Sequence, residues 1–322
     1  MRHRITAVLL VSVALLATAW WTGQGWAQAK VVRIGFLTPS SGGPTAIADA
    51  LRALGYVEGQ NIAFEVRAAN NDFDRLPELA ADLVRSNVDI ILAVSAPAIR
   101  AAKQATSTIP IVMDFWGGEG LIETGVVASF AKPGGNITGV YMLAAELEAK
   151  RFELLLEALP NARKVAVLNR GNSMPFTRVR EAARAAGIQL YITEPPGPEG
   201  YERVFDAIAK ARVDAVLVPS FPRFYLEHQR IVEAAAKRRL PAMYEWGVIA
   251  RNGGLMAYGP VYAELIRRVA VYVDRILKGA KPGDLPIEQP TRFEFVVNLR
   301  TAKALGITFP QSILVRADEV IK

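Results

Sequence analysis

Residues 88–117 read VDIILAVSAPAIRAAKQATSTIPIVMDFWG, and residues 213–247 read VDAVLVPSFPRFYLEHQRIVEAAAKRRLPAMYEWG. Both pass through the same series: a Val-Asp pair, an apolar stretch, a serine, an amphipathic segment, a proline, a second apolar stretch, then an acid followed by an aromatic. Val88-Asp89 aligns with Val213-Asp214, Ser95 with Ser220, Pro110 with Pro241 and Asp114 with Glu245. A run such as Ile90 to Val94, with no polar alternation, suits a strand covered on both faces, as in a parallel sheet flanked by helices.

The repetition extends outward. KVVRIGFLTPSSGGPTAIADALRALGY (30–56) and RKVAVLNRGNSMPFTRVREAARAAGIQ (163–189) each give an apolar strand, a Gly/Ser/Pro turn, an Ala-rich helix and a closing glycine, Gly55 or Gly187. Pro44 and Pro175 fall near the first helical turn, where a missing N–H costs nothing. The chain is therefore expected to be α/β, with two doubly wound parallel-sheet lobes, each βαβαβ. Three segments are expected to cross between them: KPGGNITGVYM (132–142), GGLMAYGP (253–260) and RFEFVVNLRTAKALGI (292–307). That division places residues 30–138 with 260–286 in the first lobe, and 139–259 with 287–322 in the second.

Residues 1–29 are set apart. Arg2, His3 and Arg4 precede an apolar run from Ile5 to Ala19, and Ala27-Gln28-Ala29 resembles a cleavage site, the three regions of a secretory signal peptide. There is no cysteine, hence no disulfide, no thiolate metal site and no acylated cysteine of a lipoprotein. Secretion without that anchor points to the periplasm. The formal charge is +7, or +5 without Arg2 and Arg4, and both signs are interspersed, so nothing indicates nucleic acid.

In open parallel sheets, ligands bind beyond the carboxyl ends of the strands. Those ends carry Thr38, Ser40, Ser41, Ser95, Ala96, Asp114, Phe115 and Trp116 from the first lobe. From the second they carry Asn169, Asn172, Ser220, Phe221, Tyr244, Glu245 and Trp246. Segments 40–44 and 95–97 open helices whose free N–H groups suit a carboxylate. Asp114 and Glu245 suit an ammonium, and the aromatics suit a ring. Arg170, Arg178 and Arg223 read as surface charges.

Signs of catalysis are sparse. His228 is the only histidine beyond residue 3 and lies among Glu227, Gln229 and Arg230. No G-x-S-x-G elbow or phosphate-binding glycine loop occurs. No cofactor, catalytic residue or metal ligand is expected, although Asp/Glu acid–base chemistry leaves no sharp signature.

Several stretches carry a resemblance to a known family: LRALGYVEGQNIAFEVRAANNDFDRLPELAADLV, AAKQATSTIPIVM, VASFAKPGGNITG, GGLMAYGP, VDRILKGAKPGDLPIEQPTRFEFVVNLRTAKALGI and LVRADEVI. They resemble the ABC-transporter substrate-binding proteins of the tryptophan/tyrosine-uptake type, over essentially the whole chain after residue 30. The resemblance implies a type I periplasmic-binding-protein fold with three hinge crossings, a monomer, and delivery of a small carboxylate-bearing solute to a membrane-embedded permease. It places binding roles near Ser95, Asn169 and Ser220, with an aromatic amino acid among the candidate solutes. Two loops depart from the family pattern: DFWGGEGLIETG stands where relatives have a Gly-Asp-Pro type loop, with Glu119 near the expected acid, and VPSFPRF lacks an acid. A secreted α/β enzyme using a cleft carboxylate, and a sensor presenting ligand to a receptor, are the alternatives.

Overall fold

The computed structural model describes residues 31–114, 120–122, 124–142, 144–169, 176–195 and 200–322. Strands β1 (Val32–Thr38), β2 (Ile62–Ala68), β3 (Ile90–Val94), β4 (Ile111–Asp114) and β5 (Ile137–Val140) form one sheet, in the order β2-β1-β3-β4-β5. All its pairs are parallel. β3 and β4 are buried at every residue. Alternation sorts Ile90, Leu92 and Val94 into one core and Ile91 and Ala93 into another across the sheet. Helices Leu76–Arg85 and Ala96–Ala105 cover the second core. Helix Thr45–Arg52 covers the first, together with Tyr262–Leu277, which arrives from much later in the chain.

The second sheet holds β6 (Lys164–Leu168), β7 (Gln189–Thr193), β8 (Ala215–Leu217), β9 (Ala242–Tyr244), β10 (Met256–Pro260), β11 (Phe293–Asn298) and β12 (Glu319–Ile321). Their order is β12-β11-β10-β9-β8-β6-β7. Every pair is parallel except β10 with β11. The exception follows from connectivity: β10 runs out towards the first lobe and β11 returns from it.

The repeated Val-Asp pair has a structural purpose. Asp89 accepts the Arg33 N–H through its carboxylate at 2.8 Å and donates its own N–H to the Arg33 carbonyl. Asp214 accepts the Lys164 N–H at 2.8 Å and donates to the Lys164 carbonyl. Asp318 does the same with Phe295. Each aspartate pins one strand entrance to its neighbour, which fixes register.

The crossings lie side by side. Val140 pairs with both Asp114 and Glu288; Tyr141 N–H donates to the Glu288 carbonyl, and Val261 N–H to that of Arg292. The first sheet therefore runs through Val140, and residues 287–288 lie beside it, so the exchange points anticipated after 138 and 286 fall inside this pairing.

Gly139 explains the glycine within NITGVYM. Its φ is +138°, and a Cβ there would stand 2.4 Å from the Met113 carbonyl oxygen. Gly139→Ala is expected to cost about 1–3 kcal/mol by overpacking β4 against β5. Urea unfolding checks it: an unchanged midpoint would mean that the two strands do not approach this closely.

Candidate functional site

The first-lobe wall is built on the ends of β1, β3 and β4. Thr38 and Ser40 are buried, Ser41 is exposed, and the Ser40 N–H donates to the Thr38 hydroxyl. Ser95 joins β3 to helix Ala96–Ala105 with φ +77°, left-handed backbone that non-glycine residues seldom adopt. Its N–H donates to the Asp114 carbonyl, while its buried hydroxyl makes no hydrogen bond and does not cap the helix. Ala96 is buried at the helix start and Asp114 at the end of β4.

The second-lobe wall carries a buried ionic cluster. Arg151, on helix Ala144–Ala158, is fully buried, and Glu148 and Glu245 are nearly so. Its Nη1 lies 2.8 Å from Glu148 Oε1, its Nη2 lies 3.3 Å from Glu245 Oε1, and its Nε donates to the Tyr258 carbonyl at 2.7 Å. Glu148 Oε1 also accepts the Ser220 N–H at 2.6 Å. One guanidinium thus ties together the ends of β8, β9 and β10. Burial pushes the Glu245 carboxyl up to about 7; Arg151 and Ser220 lower it, while the charges of Glu148 and Asp114 raise it further. Glu148 and Glu245 therefore share one guanidinium, with the Asp114 charge close enough to be felt at Glu245, and buried net charge is costly.

Aromatic rings close the space. Trp246 meets Tyr262 edge-on at 5.0 Å and Tyr225 at 6.2 Å, and Tyr225 lies 4.8 Å from Tyr262. The Asp114 charge helps raise the Tyr262 hydroxyl pKa, after burial, which puts that acid beside the cluster. Phe221 faces Phe73 of the first lobe at 6.3 Å. A Cβ on Gly42 would come within 2.8 Å of Leu226, so the loop after β1 touches helix Pro222–Leu226 of the second lobe.

Not every anticipated residue converges here. Asn169 is present at the end of β6 with a buried Oδ1 that has no hydrogen-bond partner. Phe115, Trp116, Asn172, Glu119 and Arg170 lie outside the described residues. Tyr244 is placed elsewhere: alternation along β9 turns it, with Ala242, into the core beneath helix His228–Lys237, where its ring abuts Gly254. Arg223 is no surface charge. It is buried over the Tyr201 ring, and its Nε donates to Glu227 at 2.8 Å. Arg178 pairs with Glu146 at 3.1 Å. His228 is half-buried, stacked on Tyr225, with Nδ1 2.6 Å from the Tyr225 carbonyl oxygen.

Glu148 and Arg151 escaped the reading of the strand ends because they sit on a helix rather than in a strand-end loop. A signal exists nonetheless. Ala144, Glu148, Arg151, Leu155 and Ala158 form one helical stripe, all of it buried, so an ion pair interrupts an otherwise apolar face. Among the described residues, no group of three or more His, Asp or Glu is placed to hold a metal ion, and no helix is long and apolar enough to cross a membrane.

The sequence profile described as ABC transporter substrate binding protein matches residues 43–321. The chain belongs to that family. This substrate-binding protein is 28% identical over 262 residues to the tyrosine-binding protein of Clostridioides difficile (strain R20291), covering 80% of the chain and 74% of the relative. It superposes with a TM-score of 0.74, at 25% identity, on an ABC domain from Streptococcus pneumonia solved with L-Trp, covering 91% of this chain and all of that one. A conserved domain protein from Vibrio cholerae O1 biovar El Tor gives a TM-score of 0.75 at 25% identity, over 90% of this chain and all of that one. The substrate-binding protein accordingly has the type I periplasmic-binding-protein fold. Its family works outside the cytoplasm, binds small-molecule solutes and serves ABC permeases, and is not a family of enzymes.

Proposed function

We propose that this protein captures an aromatic amino acid between its lobes and delivers it to an ABC permease from the periplasm. In this reading residues 1–29 are a cleaved signal peptide, the protein is no lipoprotein, it acts as a monomer, and neither nucleic acid nor catalysis is involved. One observation carries the choice of solute class: Glu148 and Glu245 share one buried guanidinium, and buried Asp114 and a cluster of tyrosine and tryptophan rings stand beside them. A solute that brings a cationic group and a ring complements both features. The tyrosine-binding and L-Trp-bound relatives agree with it.

The geometry supports the following roles. Ser95 and the free N–H groups opening helix Ala96–Ala105 receive the carboxylate, with Ser40, Ser41 and the Asn169 amide nearby. Asp114 and Glu245, set by Ser220, receive the ammonium. Phe221 and Trp246, with Tyr225 and Tyr262, enclose the ring. Phe115, Trp116 and Asn172 remain part of the proposed site, and Tyr244 supports it from beneath.

Calorimetric titration of ligand-stripped protein with L-tyrosine, L-tryptophan, tryptamine and indole-3-propionate tests this reading. An amino acid is expected to bind, and loss of either its carboxylate or its ammonium to weaken binding by at least about tenfold. Asp114→Asn is expected to cost a similar factor. Equal affinity for indole-3-propionate and L-tryptophan would remove the ammonium role. Binding confined to uncharged solutes would overturn the solute class.

A further inference from the structure

A second hollow lies in the second lobe, away from the strand ends that carry Ser220 and Glu245. Where the chain enters β9 and β10, helices His228–Lys237 and Leu299–Leu305 leave a cavity of about 410 Å³, a size within the range of small-molecule sites. Val232, Ala235, Leu240, Leu255 and Leu305 make its walls apolar.

Two features separate it from a packing gap. Tyr244 lines the cavity and is 1% exposed. Burial alone raises its hydroxyl pKa, with no charge or hydrogen bond beside it. Its hydroxyl makes no hydrogen bond among the described residues yet is not fully enclosed, and the cavity is the space it borders. Arg239 and Arg300 also line the cavity, both exposed; Arg239 has no carboxylate partner among the described residues, and the Arg300 Nε donates to the main-chain oxygen of Lys322, the last residue. Apolar walls, an inner donor without an acceptor and the Arg239 cation, with Arg300 beside it, define a complementary shape.

We propose that this cavity is a second small-molecule site, one that takes an aromatic carboxylate bearing a hydrogen-bond acceptor at the far end of its ring. The carboxylate meets Arg239 and Arg300, the ring lies on the apolar walls, and the acceptor receives the Tyr244 O–H. Arginine suits the outer position because its planar fork matches a carboxylate.

The test uses the full protein and three probes: 4-methoxybenzoate, 4-ethylbenzoate, which lacks the acceptor, and 4-methoxybenzyl alcohol, which lacks the charge. Calorimetry is expected to find 4-methoxybenzoate the tightest, ahead of 4-ethylbenzoate by about three- to tenfold. Tyr244→Phe should erase that difference without unfolding the chain, since its hydroxyl has no partner to lose. The double variant Arg239→Gln/Arg300→Gln should weaken both benzoates by at least about tenfold and leave the alcohol unchanged. Ala304→Trp, which fills the cavity, should abolish binding. Solute binding at the inter-lobe cleft should be unaffected by the arginine and Ala304 changes, so failure of the amino-acid reading and failure of this one are told apart. Three results would overturn the proposal: no benzoate binding below about 10 mM, binding unaltered in the double and Ala304→Trp variants, or complete competition by L-tyrosine.

Discussion

Arg151→Ala is expected to lower the unfolding free energy by about 3–5 kcal/mol, because it leaves Glu148 and Glu245 buried without their shared cation. The loss extends beyond charge. The guanidinium also donates to the Tyr258 carbonyl, and Glu148 holds the Ser220 N–H, so the ends of β8, β9 and β10 lose their common tie. Glu245, already held up by burial, escapes the penalty by taking up a proton. The defect is therefore expected to be largest above neutral pH and to shrink on acidification. Arg151→Lys should fall between parent and alanine, since an ammonium keeps the charge but not the planar fork. Urea unfolding at about pH 8 and about pH 5.5 checks both parts. A variant within about 1 kcal/mol of the parent at both values would show that the pair contributes nothing net.

Glu245 is expected to make stability fall as pH rises towards neutrality, the reverse of the usual carboxylate. Its carboxyl is held up to about 7 against an ordinary 4.5, chiefly by burial. Between those values the folded chain holds a proton that the unfolded chain has released. Its contribution is fully present below the unfolded value and is lost as pH rises through the folded one. At 1.36 kcal/mol per pKa unit, the interval amounts to about 3 kcal/mol. Glu245→Gln should flatten the profile across that window, leaving Arg151 paired with Glu148. If an ammonium binds beside Glu245, it favours the ionised form, so capture of L-tyrosine near pH 6.5 should release protons. Calorimetric enthalpies that differ between phosphate and Tris buffers would report that release. A stability profile shared by parent and Glu245→Gln would remove the proton from that carboxylate.

Much of the fold was legible because the relevant physics is local. Ile90 to Val94 is apolar without alternation, and such a run has few stable fates except a covered parallel strand. The matched Val-Asp pairs marked strand entrances, where Asp89 and Asp214 bind the neighbouring strand's N–H groups. That Gly139 lets two backbones nearly touch was not legible, since the approach of β4 is a tertiary fact. The antiparallel entry of β11 was not legible, since strand direction depends on the lobe from which the chain returns.

The candidate site divided differently. Ser95, Asp114, Ser220, Glu245 and Trp246 follow from the rule that strand ends face the ligand. Glu148 and Arg151 do not, since a charged pair on a helix reads as solvated until something covers it. Tyr244 was misplaced for the complementary reason: it is a strand-end aromatic whose direction is set by the alternation of β9.

The sequence by itself determined two α/β lobes in tandem, the strand ends where a solute would sit, and a chain nearly devoid of catalytic groups, because strand covering, turn chemistry and residue inventory are properties of short segments. Only the tertiary structure decided which charges are buried. Arg151 meets Glu245 across 94 residues of chain and Arg223 lies over Tyr201, whereas Tyr244 turns away from the cleft. Burial and ionisation depend on what distant segments bring together, and that is settled when the lobes pack.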